Sequence, residues 1–446
     1  MPGRRKFLKS FAGASAGLCF VNCALQRAFA GAAQTGAAGK RRQVMLGGRR
    51  VRTIDIHAHC YVDLHDLIQG HPEALIPNGG PPTFDGPFLS PTKDVEARLR
   101  HMDEHGIDIQ AVSLAPAYNY WADRDLAGKI VARQNEQIAA LCAAHPDRFV
   151  GLGGLALQHP DLAVEQMEHG VKQLGFRGFE IGGSVNGDEL ANSKFNPVWA
   201  KAEELGILLL LHPATFVEGL KRFQGNGFLP NVIGNPLETT VAFTHLIFEG
   251  TLDRYPGLKI CGSHGGGYLP SYLGRTDHCA EISNRCQPVK KHPSEYFKEQ
   301  LYCDSIVFTA EGLRHLVAEV GASHILFGTD FPFDVADPFM GDPREADFVL
   351  GAAGLSEADR RAILGDTSAK LLGINRTGFS LSGFDFRRLG TPDRLKPVLL
   401  GSRNELYSSH VQRSGPRSFS EPAERRHARR GYGHGFRGKS RMRRHP

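Results

Sequence analysis

The sequence predicts an α/β fold: a (β/α)8 (TIM) barrel with an insertion after its first strand and a basic C-terminal tail of low order. Three observations predict it. Apolar strand-like runs alternate with amphipathic helical segments through the middle of the chain. Several runs are apolar throughout, Ile207-Leu208-Leu209-Leu210-Leu211 most clearly. Residues able to do chemistry stand at the ends of four runs. Continuous apolar runs suit parallel strands buried on both faces. In a barrel, the C-terminal ends of such strands converge on one mouth.

Taken in order, the strand candidates are 51–57, 107–115, 149–156, 176–182, 207–212, 258–264, 301–304 and 324–330. Helical patterns cover 95–104, 126–144, 162–174 and 356–372. The last opens with Ser356-Glu357-Ala358-Asp359, where a serine N-cap and early acids suit the helix dipole. The span 51–375 exceeds the roughly 250 residues of a plain barrel, which points to insertions. The longest, 60–92, follows the first strand, is rich in Gly and Pro, and contains no Lys or Arg. It is expected over the mouth as a lid or small subdomain. A doubly wound open sheet is the rival architecture, and it lacks a Gly-rich phosphate loop after the first strand.

Of 446 residues, 41% are hydrophobic and 22% charged, which excludes wholesale disorder. The net charge of +6 invites a nucleic-acid partner, but the excess sits at the ends. Residues 1–50 hold 10 Lys and Arg and no acid, and 376–446 hold 17 against 5. The stretch between holds 26 against 42, a net of −16. No nucleic acid is expected for the barrel.

At the N-terminus, Arg4-Arg5-Lys6-Phe7-Leu8-Lys9 precedes an apolar stretch, 11–25, and then Ala28-Phe29-Ala30. Basic region, apolar region and A-x-A site make an export signal. The arginine pair resembles a twin-arginine signal, predicting delivery of the folded protein to the periplasm. The apolar stretch is short of the roughly 20 residues of a permanent span, so no stable membrane span is expected after cleavage. The chain thus divides into a signal (1–30), a linker (31–50), the barrel (51–375) and a basic tail (376–446). The tail is rich in Arg, Gly, Ser and Pro and cannot bury enough apolar surface to fold alone. It reads either as a polyanion- or envelope-binding arm or as an extension without a role in the chemistry. Six cysteines remain after cleavage, none in a C-x-x-C pair; Cys279 and Cys286 are a candidate disulfide pair in an oxidising compartment.

The first strand runs into His57-Ala58-His59. Side chains alternate along a strand, so these two imidazoles share a side and can bind one divalent metal. Alone, H-x-H is a modest signal, since many such pairs are surface histidines. The signal strengthens because Leu208–Leu211 leads into His212-Pro213, the sixth run into His264-Gly265-Gly266-Gly267, and the eighth into Asp330-Phe331-Pro332. Strand ends one, five, six and eight then meet at the mouth. Three neutral imidazoles and a carboxylate leave a coordination position for water, whose pKa zinc lowers to about 7. An unperturbed histidine, with a pKa of about 6.5, shuttles protons at neutral pH.

These motifs resemble the amidohydrolase superfamily, and more closely its aminocarboxymuconate-semialdehyde decarboxylase branch. The resemblance covers nearly all of 51–375. It also includes Tyr120-Trp121-Ala122, Asp147-Arg148-Phe149-Val150-Gly151-Leu152-Gly153, Gly175-Phe176-Arg177-Gly178, Asn235-Pro236-Leu237-Glu238-Thr239-Thr240 and Gly328-Thr329-Asp330-Phe331-Pro332. It implies one ion, Zn2+ or another divalent metal, held by His57, His59, His212 and Asp330. It makes His264 the acid/base residue, with Asp330 beside it in the catalytic centre. The strand-four position that carries a carbamylated lysine in binuclear relatives lies in Gly178-Phe179-Glu180-Ile181, without a lysine. One metal is therefore favoured, with Glu180 leaving an opening for a second.

The resemblance further implies that Arg275 reaches a neighbouring subunit's site to hold a substrate carboxylate, which argues for a homodimer. Tyr118, Tyr120 and Trp121 follow strand two and are candidates to line the pocket or to pack in the core, with Tyr120 and Trp121 taken as substrate-binding candidates. Two departures argue against aminocarboxymuconate semialdehyde itself as substrate: the segment after strand one has no basic residue, and no aromatic directly follows His212-Pro213. The expected activity is decarboxylation of a small unsaturated or aromatic carboxylate. Hydrolysis of a lactone, ester or amide on the same site is the alternative, and the metal site alone does not separate them.

Overall fold

Eight parallel strands line up in chain order: β1 Ile54–Cys60, β2 Ile109–Leu114, β3 Phe149–Gly153, β4 Gly178–Ile181, β5 Leu208–Leu211, β6 Lys259–Gly262, β7 Leu301–Asp304 and β8 Ile325–Leu326. They come from a computed structural model that describes residues 41–71, 74, 90–115, 118–282, 289–333 and 345–374. The predicted signal (1–30) and basic tail (376–446) lie outside the described residues, as does most of the insertion after strand one. The barrel closes beyond the ladder of β8. Ile56 N donates to Phe327 O (2.8 Å), Asp330 N to His57 O (2.9 Å) and His59 N to Phe331 O (2.6 Å). The eighth run thus continues as a seam against β1.

The helices alternate with the strands: α1 Val95–His105, α2 Arg124–Ala144, α3 Pro160–Lys172, α4 Asn196–Leu205, α5 Asn235–Phe248, α6 Leu273–Ile282 and α7 Ala310–Val320. After β8 come Glu345–Gly351 and a continuous stretch built from Glu357–Arg361, Ala362–Asp366 and Thr367–Leu371. Local chemistry starts three of them, the cap at Ser356 as the sequence predicts. Asp123 and Thr309 accept hydrogen bonds from the backbone of Leu126 and Gly312, and Ser356 forms a reciprocal capping box with Asp359.

Two apolar layers result. Ile54, Ile56, Ile109, Ala111, Val150, Leu152, Leu208, Leu210, Tyr302 and Leu326 fill the barrel interior. Phe149, Phe179, Leu209, Leu211, Phe243 and Leu301 face the helices. This is the two-residue period of a strand with both faces buried.

One strand breaks that period. Ile54 and Ile56 belong to the interior layer, yet Cys60, at the same parity, belongs to the outer one. The pairing of β1 with β2 slips between Asp55 and Ala58, where three steps on β1 oppose two on β2. That extra residue reverses the parity, a common device beside active sites. It turns His57 and His59 into the mouth, where unbroken alternation from Ile54 would have turned them outward.

The sequence also missed a hairpin. Val44–Leu46 pairs antiparallel with Arg49–Val51, across the end of the stretch read as a linker (31–50) and the first residue of the predicted strand 51–57, and Val44 and Val51 are buried. Gly47 and Gly48 turn the chain at φ 52° and 74°, a region open to glycine. Two such short strands carry too little periodicity to register as a pattern.

Candidate active site

Above the apolar interior layer, the strand ends supply a polar one. His57, His59, His212 and Asp330 are all buried, and one ligand atom from each lies within 4.8 Å of the others. The imidazoles of His57, His59 and His212 stand edge to face, with centroids 4.8–4.9 Å apart. Asp330 Oδ1 lies 3.1 Å from His59 Nε2 and 3.3 Å from His57 Nε2.

The hydrogen-bond partners assign the tautomers. His57 Nδ1 donates to Asp304 Oδ2 (2.7 Å), and His59 Nδ1 donates to Leu114 O (2.8 Å). With each ring neutral, both Nε2 atoms are acceptors, and they face each other at 2.9 Å. Two lone pairs held that close repel unless a cation satisfies both. His212 Nδ1 and Nε2 and Asp330 Oδ1 are likewise buried without a hydrogen-bond partner. Native proteins leave few such atoms, each needing a partner or an ion. This donor set fits a divalent metal.

The electrostatics agree. Burial alone would discharge the His57 ring, but Asp330 and Asp304 outweigh it and hold its pKa well above the usual histidine value. Burial also opposes ionisation of Asp330, yet His57, His264 and His59 keep it well below the carboxylate range. Burial and then three imidazole neighbours push His212 well below its ordinary value. The cluster is a place for positive charge.

His264 completes it. β6 stops at Gly262, short of the predicted 264, and His264 sits beyond it in the left-handed region at φ 55° and ψ 52°. Its Nε2 lies 3.5 Å from Asp330 Oδ2, and its ring centroid lies 5.1 Å from that of His212. The three glycines that follow have φ of 68°, 74° and 70°. A Cβ at Gly266 would fall 2.6 Å from Cys303 Sγ, and one at Gly267 2.4 Å from Pro236 O. The chain can turn here only because side chains are missing.

A sequence profile of this description, Amidohydrolase, matches residues 54–374. The chain belongs to the amidohydrolase family. The 2-amino-3-carboxymuconate-6-semialdehyde decarboxylase of Dictyostelium discoideum is 31% identical over 305 residues, 66% of this chain and 81% of that protein. The gamma-resorcylate decarboxylase of Polaromonas sp. strain JS666 is 34% identical over 325 residues, 68% of this chain and 96% of its own. A solved dihydroxybenzoic acid decarboxylase from Polaromonas sp. JS666, with bound manganese and the inhibitor 2-nitroresorcinol, matches with a TM-score of 0.63. Its identity is 29%, over 73% of this chain and 98% of that one.

In this amidohydrolase the other predicted site residues are not all at the cluster. Tyr120 is packed: its hydroxyl accepts from Gly182 N (3.1 Å), and its ring stacks on Tyr118 at 5.2 Å. Trp121 is half-buried against His71. Arg275 is exposed on α6 and has no hydrogen bond or ion pair to any described residue. Tyr118 does reach the centre: its hydroxyl lies 2.8 Å from both Glu180 Oε1 and His212 O. Glu180 Oε2 lies 3.6 Å from His59 Nδ1, and burial raises this carboxyl's pKa.

Sequence reasoning passed over Asp304, although it ends β7 as plainly as the histidines end theirs. It also passed over a buried brace. Arg98 donates to Gln110 Oε1 and to His59 O (both 2.8 Å), Gln110 donates to Asp55, and Thr329 Oγ1 donates to Asp55 Oδ2 (2.8 Å). The brace ties α1, β1, β2 and the β8 seam together behind the ligands.

Glu238, in the first turn of α5, touches none of the ligands. It is buried and accepts from Ser184 Oγ (2.7 Å), and burial pushes its pKa up to about 7, with Ser184 opposing. A carboxyl whose folded pKa exceeds its unfolded value holds its proton longer in the native state. Stability is therefore lost as pH rises from the unfolded value of 4.5 towards about 7. Glu238→Gln should raise the melting temperature at pH 8 and leave it nearly unchanged at pH 4. Equal shifts at both pH values would refute this account.

Proposed function

We propose that the protein is a metal-dependent decarboxylase acting on a small aromatic or unsaturated carboxylate, with a hydroxylated benzoate the preferred class. The observation that carries this reading is the three-histidine, one-aspartate cluster with His264 beside it, in a chain whose relatives over most of their length are decarboxylases.

His57, His59, His212 and Asp330 would hold one divalent ion. Bound there, the ion supplies a Lewis acid that draws electron density from a substrate oxygen. The protein supplies the proton. Loss of CO2 breaks the carbon–carboxylate bond and leaves its electron pair on carbon, which must take up one proton. His264 stands where it can deliver it. Its Nδ1 is buried without a hydrogen-bond partner, so neither tautomer is locked, and Asp330 Oδ2 lies on the other side of the ring. Burial of the cluster keeps competing water from the reacting carbon.

Three imidazoles suit zinc, while the Polaromonas structure carries manganese; apoprotein reconstituted with each metal decides between them. Arg275 lies exposed beside Tyr272 on the surface of the α6 region, which suits an arginine offered to a second subunit of a homodimer. Export to the periplasm is supported by the residue 1–30 pattern and by Cys279, which is disulfide-bonded while the other four described cysteines are free. Among the described residues, no helix is long and apolar enough to cross a membrane.

The test is incubation of the reconstituted protein with dihydroxybenzoates and muconate-like carboxylates. Stoichiometric CO2 release with loss of the carboxyl group is expected. Opening of a lactone, ester or amide without CO2 would make the protein a hydrolase instead.

A further inference from the structure

Asp304 is fully buried, and every acceptor direction of its carboxylate is used. Oδ2 receives His57 Nδ1 (2.7 Å) and the backbone N of His264 (2.8 Å). Oδ1 receives the backbone N of Gly265 (2.8 Å) and of Ile306 (3.0 Å). We infer that Asp304 is the positioning residue shared by the metal ligand His57 and the proton carrier His264, so that ligand tautomer and acid/base aim are set by one carboxylate.

On the His57 side, the carboxylate keeps a proton on Nδ1 and so leaves Nε2 free as a ligand. Partners of this kind orient metal-binding imidazoles. On the His264 side, two hydrogen bonds grip the successive backbone N–H groups of His264 and Gly265. These are the residues at φ 55° and 68°. A histidine rarely adopts that conformation unless its surroundings enforce it. Asp304 enforces it, and the turn directs the His264 ring at Asp330. Gly328 lets the pieces approach: a Cβ there would fall 3.0 Å from His57 Cβ and 3.1 Å from Asp304 Cβ.

The chemistry of the site distinguishes this from bulk packing. Asp304→Asn keeps the volume but replaces one acceptor oxygen with an NH2 group. Placed towards His57, that group meets the Nδ1 proton and the His264 N–H. Placed the other way, it meets two backbone N–H groups. The first placement drives the proton of His57 to Nε2, where it blocks coordination; the second loosens the turn that aims His264.

This inference rests on the decarboxylase reading for the roles of His57 and His264, and the experiment separates the two. Cobalt(II) affinity is measured by chelator competition on wild type, Asp304→Asn and His57→Ala. Asp304→Asn is expected to bind about 10–100-fold more weakly. With saturating metal its kcat should fall while KM is unchanged, because Asp304 touches no substrate. Retention of full metal affinity by His57→Ala would overturn the ligand assignment itself. Loss in His57→Ala, with wild-type affinity and kcat in Asp304→Asn, would overturn only the inference. Should Asp304→Asn fail to fold, the cobalt-loaded wild type still answers. Its proton NMR spectrum should show two slowly exchanging, metal-shifted ring N–H signals, from His57 on Asp304 and His59 on Leu114; a single slow signal would overturn the Asp304 contact.

Discussion

Asp330→Ala is expected to abolish stoichiometric metal binding and CO2 release together. Asp330 supplies the only carboxylate oxygen in the group of four that converges on one point. Its Oδ1 faces the Nε2 atoms of His57 and His59 and has no hydrogen bond of its own. Without it, three neutral imidazoles would have to hold a buried dication with no anionic ligand in direct contact, Asp304 acting only from behind His57, which is unfavourable. The loss should exceed the about 10–100-fold that removing a supporting partner costs. Asp330 sits at φ 58°, so alanine also adds backbone strain of roughly 1–2 kcal/mol. Asp330→Asn removes that ambiguity, because asparagine tolerates the left-handed region and keeps the shape while losing the charge. Metal content after dialysis, read beside CO2 release, decides the matter. Either variant retaining one equivalent of metal and wild-type turnover would sink the site assignment.

Much of this centre was legible in the sequence, and the reasons differ residue by residue. His212 and Asp330 follow the strand period directly, since Leu208 and Leu210, and likewise Leu326, point inward. His57 and His59 were paired correctly because H-x-H puts two side chains on one side wherever the strand faces. Which side was settled by the slip between Asp55 and Ala58, and no local pattern announces it. Asp304 carried the same strand-end signal as the histidines. It went unread because its role lies in contacts to His57, His264 and Gly265, at least 39 residues away in sequence. Of the three aromatics read as pocket candidates after β2, Tyr118 rather than Tyr120 or Trp121 reaches the centre. A run of aromatics after β2 is visible, but its registry against Glu180 and His212 is a tertiary fact. Periodicity reports which face an element buries; it is silent on partners brought together by closure of the barrel.

His264→Gln separates proton transfer from metal binding, and for that reason it carries the mechanism. Its ring is a neighbour of the cluster, with centroids 5.1 and 5.4 Å from His212 and His57, but His264 is not among the four residues whose ligand atoms converge. Metal should therefore remain bound at one equivalent. The backbone N–H that Asp304 grips belongs to any residue at 264, so glutamine keeps that anchor as well. What disappears is a side chain able to hold a proton at one nitrogen and release it from the other. A positioned acid or base contributes typically about 10²–10⁴ in rate, so kcat should fall by that factor with KM little changed. A variant with metal retained and kcat intact would show that the proton reaches carbon by another route.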